Sequence, residues 1–249
     1  MTNIYKIASV VGLAAILNAC TTDFDDSKEK GYLKMSPVSV NTTAENMTES
    51  RAVTDVDNFI VELYQDNDIL QPTYLVNSFP EVLELPLGQY SISVRNITLE
   101  DAAFDSPYYA ASEDFEIKNN VVTEVGPLVC RLSNIMVTVE VSPELRATLR
   151  AGSYVRVGYE KGEKLYFSLT NIQNGDAGYF KELTDGGKFE VSFTGVVDGE
   201  TTTSTTYCEN VKAGQHRIIS YGLKDAENLT ASKSNVTAGN RIIVGQTVK

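Results

Sequence analysis

Leu87-Gly88-Gln89-Tyr90-Ser91-Ile92-Ser93-Val94 reads as a glycine turn feeding an alternating strand. Tyr90, Ile92 and Val94 fall on one side of a two-residue period, with Ser91 and Ser93 on the other. One apolar face and one wet face is the pattern of an antiparallel sheet packed on a single side. The period recurs downstream. Ile135, Val137, Val139 and Val141 alternate with Met136, Thr138 and Glu140, and Phe189, Val191 and Phe193 alternate with Glu190, Ser192 and Thr194. Shorter runs at Phe59–Tyr64, Tyr154–Tyr159, Leu165–Leu169 and Ile218–Tyr221 read as further strands. Turn signals separate them at Lys161-Gly162, Asn174-Gly175, Asp185-Gly186-Gly187 and Asp198-Gly199. Short strands between such turns predict an all-β sandwich or barrel. A single short helix is expected, with Ser142 as N-cap, Pro143 first, Leu145 and Leu149 one turn apart and Gly152 past its end.

The opening motif has an echo. Gly88-Gln89-Tyr90-Ser91-Ile92 matches Gly214-Gln215-His216-Arg217-Ile218, offset by about half the chain, as two stacked modules would require. The turn pair Gly126-Pro127 marks the expected boundary. The organisation read from the sequence is a leader over 1–19, a tether over 20–30, and β-rich modules over 31–126 and 127–249.

The 249 residues carry 21 Lys+Arg against 33 Asp+Glu, a net charge of −12. That balance disfavours nucleic acid, because phosphate binding rests on Lys and Arg. Hydrophobic residues at 42% suit a folded body with a real core.

The N-terminus supplies an address. Residues 1–20, MTNIYKIASVVGLAAILNAC, place Lys6 before an apolar stretch from Ile7 to Ala19. This is too short to span a bilayer as a permanent helix, which takes about 20 apolar residues, and it fits a secretory leader. Leu17-Asn18-Ala19-Cys20 resembles a bacterial lipobox. By that resemblance, cleavage before Cys20 leaves its thiol and new amine to carry acyl chains, and several chains make a durable anchor where one is marginal. The polar, acidic stretch Thr21–Lys30 then reads as a solvated linker.

Little in the sequence offers chemistry. His216 is the sole histidine, short of the partners that a triad or a metal site needs, and is expected to pack at a strand start. Cys130 and Cys208 can pair outside the cell or stay as buried thiols. Asp55-Val56-Asp57-Asn58 and Asp66-Asn67-Asp68 offer oxygens for Ca²⁺, but neither continues into an EF-hand loop, and solvated loops are expected. Tyr108-Tyr109 offers either a glycan platform or ordinary half-buried strand residues. No spacing singles out a carboxylate pair. No catalytic residue, cofactor or metal is expected.

Leu83–Val94, Asp105–Tyr109, Asp114–Ile117 and Val129–Val139, behind a lipobox, together resemble Bacteroidetes-type surface lipoproteins related to the fimbrillins. The likeness covers most of residues 31–222. It implies two transthyretin-like antiparallel β-sandwich modules, with the short helix in the second. It also implies a lipid-anchored outer-membrane protein exposed at the cell surface, the acidic tether resembling a surface-export signal. Fimbrillin precursors are cut after an Arg that follows the first strand, and the vacated groove takes a neighbour's strand. By resemblance, that site here is Arg51-Ala52, after a first strand over Tyr32–Val40. That strand is expected beside Phe59–Tyr64, and Pro37 restricts it to an edge or a bulge. The partners implied are outer-membrane lipid through Cys20, neighbouring pilin subunits and surface glycans. The alternatives are a glycan- or protein-binding lipoprotein that never polymerises and an acid-dependent hydrolase.

Overall fold

The computed structural model describes residues 29–41, 55–184, 187–197, 200–223, 235–238 and 241–248. The long alternating strands have one apolar side, so their sheets must close on one another in pairs. Four sheets do so. The first is small, with β1 (Lys30–Met35) between β5 (Leu83–Pro86) and β9 (Val122–Val125). The second has six strands, in the order β2 (Val38–Asn41), β10 (Leu128–Leu132), β8 (Tyr109–Ile117), β6 (Gly88–Arg95), β3 (Ile60–Gln65) and β4 (Asp68–Leu75). Leu33, Leu85 and Val125 from the first sheet meet Val61, Leu63, Tyr90, Ile92, Val94, Phe115, Ile117 and Cys130 from the second.

The third sheet also has six strands, in the order β18 (Asn235–Ala238), β19 (Arg241–Val248), β17 (His216–Leu223), β11 (Ile135–Val141), β14 (Gly178–Phe180) and β7 (Ala102–Phe104). The fourth runs β13 (Lys164–Ser168), β12 (Tyr154–Tyr159), β15 (Phe189–Val197) and β16 (Glu200–Cys208). Ile135, Val137, Val139, Phe180, Ile219 and Tyr221 pack there against Val155, Val157, Phe167, Phe189, Val191 and Phe193. All three alternating runs read from the sequence therefore turn their apolar sides inward.

Several features depart from the expected pattern. Pairing is mixed rather than antiparallel throughout, since β1 runs parallel to β9, β2 to β10, and β17 to both β11 and β19. Local alternation fixes which face is buried but not the direction of the neighbouring strand. β10 follows Gly126-Pro127 yet belongs to the second sheet, and β7 precedes that pair yet belongs to the third. The change of sheet after β10 comes at Ser133-Asn134, where Asn134 is buried. Its side-chain amide accepts a bond from Tyr108 N at 3.3 Å and donates to Ser106 O at 3.0 Å.

Two short α-helices are present among the described residues, where one was expected. The first, α1 (Pro143–Thr148), begins as read, with Ser142 Oγ accepting from Leu145 N at 3.3 Å. The second, α2 (Leu169–Asn174), starts in a capping box between Ser168 and Asn171 and stops at Gly175, whose φ is 72°. Its signals are the Ser-x-x-Asn spacing and the Asn-Gly pair, which alone read only as a turn.

Glu62 interrupts the apolar run of β3. Beside Val61 and Leu63 in the core, it lies on the opposite face and is nonetheless buried, at 7% exposure. Arg95 at the end of β6 covers it, donating from Nη2 to Oε1 at 2.7 Å and from Nε to Oε2 at 3.2 Å. Tyr64 Oη adds a third bond at 2.9 Å. The Arg95 hydrogen bonds hold the Glu62 carboxyl below its ordinary value of 4.5, against the opposing effect of burial. A depressed carboxylate stabilises the fold fully above its unfolded value, and the effect fades as pH falls through the folded value. Glu62→Gln is expected to cost about 1–2 kcal/mol at neutral pH. The penalty should shrink as pH falls below 4.5, where the unfolded chain takes up its proton first and the native carboxyl follows at lower pH. Urea melts of both proteins at neutral pH and near pH 3 read this, and an equal penalty at the two would refute it.

Cys130 and Cys208 are free and buried, in separate clusters. Burial pushes the Cys130 thiol up to about 11. Burial also raises Cys208, partly offset by Arg217, whose Nη1 lies 3.7 Å from the sulfur. Neither thiol should react with iodoacetamide at pH 8 in the folded protein, and both should react in denaturant. Adducts at either position under native conditions, detected by peptide mass, would contradict this packing.

Candidate functional site

Two strands precede Arg51 in the chain, β1 and β2. Lys34 and Tyr32 point away from the core of the first sheet, while Gly31 and Leu33 point into it, both buried. β1 runs antiparallel to β5, with Gly31 opposite Leu85 and Leu33 opposite Leu83. On its other side it runs parallel to β9, with Leu33 opposite Thr123 and Met35 opposite Val125. Backbone bonds extend this seat at both ends. Asn120 N donates to Lys30 O at 2.9 Å, Tyr32 N to Val121 O at 2.9 Å and Ser36 N to Val125 O at 2.7 Å. A strand paired on both edges is a middle strand, so removing it frees two edges at once.

The segment changes sheets at Ser36-Pro37. Pro37 has no N–H to give a ladder and sits at the break between β1 and β2. The constraint read from Pro37 thus resolves as a break between two strands. β2 continues as the outer strand of the second sheet, parallel to β10, with Val38 opposite Leu128 and Val40 opposite Cys130. Beside the break, Met35, Pro37 and Val38 line a shallow groove with Val76, Phe79 and Pro80. The first strand was expected beside Phe59–Tyr64, but β3 is already flanked by β4 and β6. Sequence reasoning placed the strand by proximity in the chain, whereas both of its halves pair with distant segments.

Two ion pairs flank β1. Lys30 Nζ lies 2.8 Å from Glu84 on β5, and Lys34 Nζ lies 2.8 Å from Glu124 on β9. Each rim of the seat therefore offers a carboxylate to the outer face of the strand. Such surface pairs are screened by solvent and contribute little to stability, so they select more than they hold.

The remaining candidate residues resolve individually. Cys20, Arg51 and Ala52 lie outside the described residues. Asp57 N donates to Asp55 Oδ1 at 2.9 Å, a local turn bond in an exposed loop. Asp66 and Asn67 have φ of 52° and 70° and form the tight turn between β3 and β4. Their residue types answer to that turn, since two successive positive φ values favour Asp and Asn. Among the described residues no cluster of three or more His, Cys, Asp or Glu could hold a metal ion. Tyr109 is 2% exposed inside the first core and Tyr108 is half-buried, which favours ordinary packed residues over a platform at this pair. His216 is buried at the start of β17, its Nε2 2.9 Å from Thr138 Oγ1. Among the described residues no helix is long and apolar enough to cross a membrane.

Three solved structures illustrate what the chain resembles. A fimbrial assembly protein from Parabacteroides distasonis is 11% identical, with 81% of this chain and 93% of that one covered and a TM-score of 0.44. A candidate cell adhesion protein from Bacteroides eggerthii is 9% identical, with 88% and 97% covered and a TM-score of 0.42. The Bacillus anthracis TIE protein is 16% identical with a TM-score of 0.27, and the match takes in 79% of this chain but only 34% of that one. The chain thus spans about a third of the length of the TIE protein. No curated protein matches the sequence. A family model described as a domain of unknown function, DUF4493, matches residues 29–245, from the start of β1 into β19, and the chain belongs to that family.

Proposed function

We propose that this chain is a lipid-anchored protein of the outer cell surface with a fimbrillin-like adhesive or structural role. In this reading it works by binding rather than by catalysis, and it is built as two β-sandwich modules. Cys20 carries the lipid, and cutting at Arg51-Ala52 releases the first strand so that a neighbouring subunit can fill its place.

The observation that carries the reading is the seating of residues 30–41. They form the middle strand of the first sheet and the outer strand of the second, and both lie ahead of Arg51. Losing them in one cut leaves β3 and everything after it continuous. It opens a groove between β5 and β9, floored by the core side chains that now enclose Leu33, and bares one edge of β10. Strand addition suits such a groove, because the open ladders supply hydrogen bonds and the alternate pockets supply register. The like-charged body, net −12, is compatible with standing off an anionic surface on a tether.

Two experiments test this. Treating the purified full chain with an Arg-specific protease should give a new N-terminus at Ala52 and SDS-resistant ladders, and Arg51→Ala should give neither. A cleanly cut chain that stays monomeric would sink the assembly half of the proposal. Separately, Cys20→Ser should move the protein from the membrane fraction to the soluble fraction. Undiminished membrane association of that variant would rule out the anchor.

A further inference from the structure

We propose that the seat of β1 reads the sequence of its occupant, admitting a strand with glycine at the place of Gly31, leucine at Leu33 and lysines outside at the places of Lys30 and Lys34. The inference rests on the strand-exchange reading above and names which partner strands that groove accepts.

Gly31 carries the argument. A Cβ built there would stand 2.2 Å from Lys118 O and 2.8 Å from Ile117 Cγ2, closer than real Cβ contacts allow. The obstacle is backbone at the end of β8, and several ties hold it in place. Ile117 is 2% exposed in the core and pairs with Gly88. The turn after it is pinned to β1 itself, through Asn120 N to Lys30 O and Tyr32 N to Val121 O, both at 2.9 Å. A side chain at this place would have to push the two strands apart and break those bonds. Space alone makes the demand, with no special conformation required of the glycine.

Two residues further on, Leu33 is 0% exposed among Leu85, Ile117 and Val125. Outside, Lys30 meets Glu84 on one rim and Lys34 meets Glu124 on the other. The four positions together reject errors of register. A slip of one residue turns lysines into the core and leucine to water. A slip of two drives a side chain into the space that only Gly31 fits. An occupant without the lysines leaves two rim carboxylates unmatched, a weaker and salt-sensitive fault.

Lys-Gly-x-Leu-Lys occurs once in the 249 residues, at 30–34. Lys161-Gly162-Glu163-Lys164-Leu165 begins alike but puts lysine where leucine belongs. In Arg241–Val248, Gly245 is preceded by Val244 and followed two places on by Thr247. Cutting at Arg51-Ala52 takes this segment away from the cut chain, so the strand that fits is supplied by another chain, and the corresponding segment of an uncut second copy meets every requirement.

A strand-exchange assay separates the outcomes. The full chain is nicked after Arg51, with both pieces left together, and is offered a fluorescent peptide spanning residues 29–41. Anisotropy should rise as the peptide displaces the resident strand. The Gly31→Ala peptide should bind at least about ten-fold more weakly. A peptide with both Lys30→Glu and Lys34→Glu should lose about three-fold at low salt and recover in high salt. Equal uptake of the native and Gly31→Ala peptides would overturn the proposal. If the native peptide itself is never taken up, the strand-exchange reading beneath it fails instead.

Discussion

Closing the first core depends on the pairing and packing of one early strand. The first sheet has three strands, and its middle one, β1, is the earliest described element of the chain. β5 and β9 do not pair with each other, so their alignment over the second sheet runs through the hydrogen bonds each makes to β1. Leu33 fills the space between Leu85 and Val125. A buried leucine of this kind carries about 2–5 kcal/mol when its site cannot collapse. The same residue thus closes the core and marks the position where another strand could do so.

The two cores are joined by exchange rather than by a simple linker. β7 leaves the first half of the sequence to pair with β14, and Phe104 sets its ring edge-on to Phe167 at 5.0 Å within the second core. β10 returns to the second sheet before the chain crosses at Asn134. Asn96 fastens the segment between these crossings, accepting from Tyr109 N and donating to Pro107 O, both at 2.8 Å. Backbone groups of residues 105–109 therefore find partners on both sides, as buried main-chain groups require. Removing β1 and β2 would leave all of these contacts untouched, because none of them uses residues before β3.

How much of this was legible follows from the range of each signal. Alternation at Tyr90–Val94, Ile135–Val139 and Phe189–Phe193 is a property of neighbours in sequence, and it set the buried faces correctly. So did the cap at Ser142. Parallel pairing of β17 with β11 depends on residues far apart in the chain and leaves no local trace. The Gly88 and Gly214 motifs show the difference. Both open strands from a positive-φ glycine, yet β6 is antiparallel to both neighbours while β17 is parallel to both of its own. Gly31 was equally silent, because its φ is ordinary and only the distant Lys118 carbonyl gives it meaning. Glu62 was visible as a charge inside an apolar run, but the Arg95 that answers it lies on another strand.

Charge acts on β1 at two ranges with opposite signs. The body as a whole is acidic, so two copies repel at a distance. The strand itself is locally basic, and Lys30 and Lys34 each contact a rim carboxylate at 2.8 Å. At physiological ionic strength screening sets in over about 8 Å. It therefore weakens the repulsion between whole bodies far more than contact pairs held inside that length. Moderate salt should consequently favour a strand finding a neighbour's groove, until the rim pairs are themselves screened. What remains at high salt is the part of recognition that does not depend on charge: the Leu33 pocket and the space beside Lys118 that excludes every side chain.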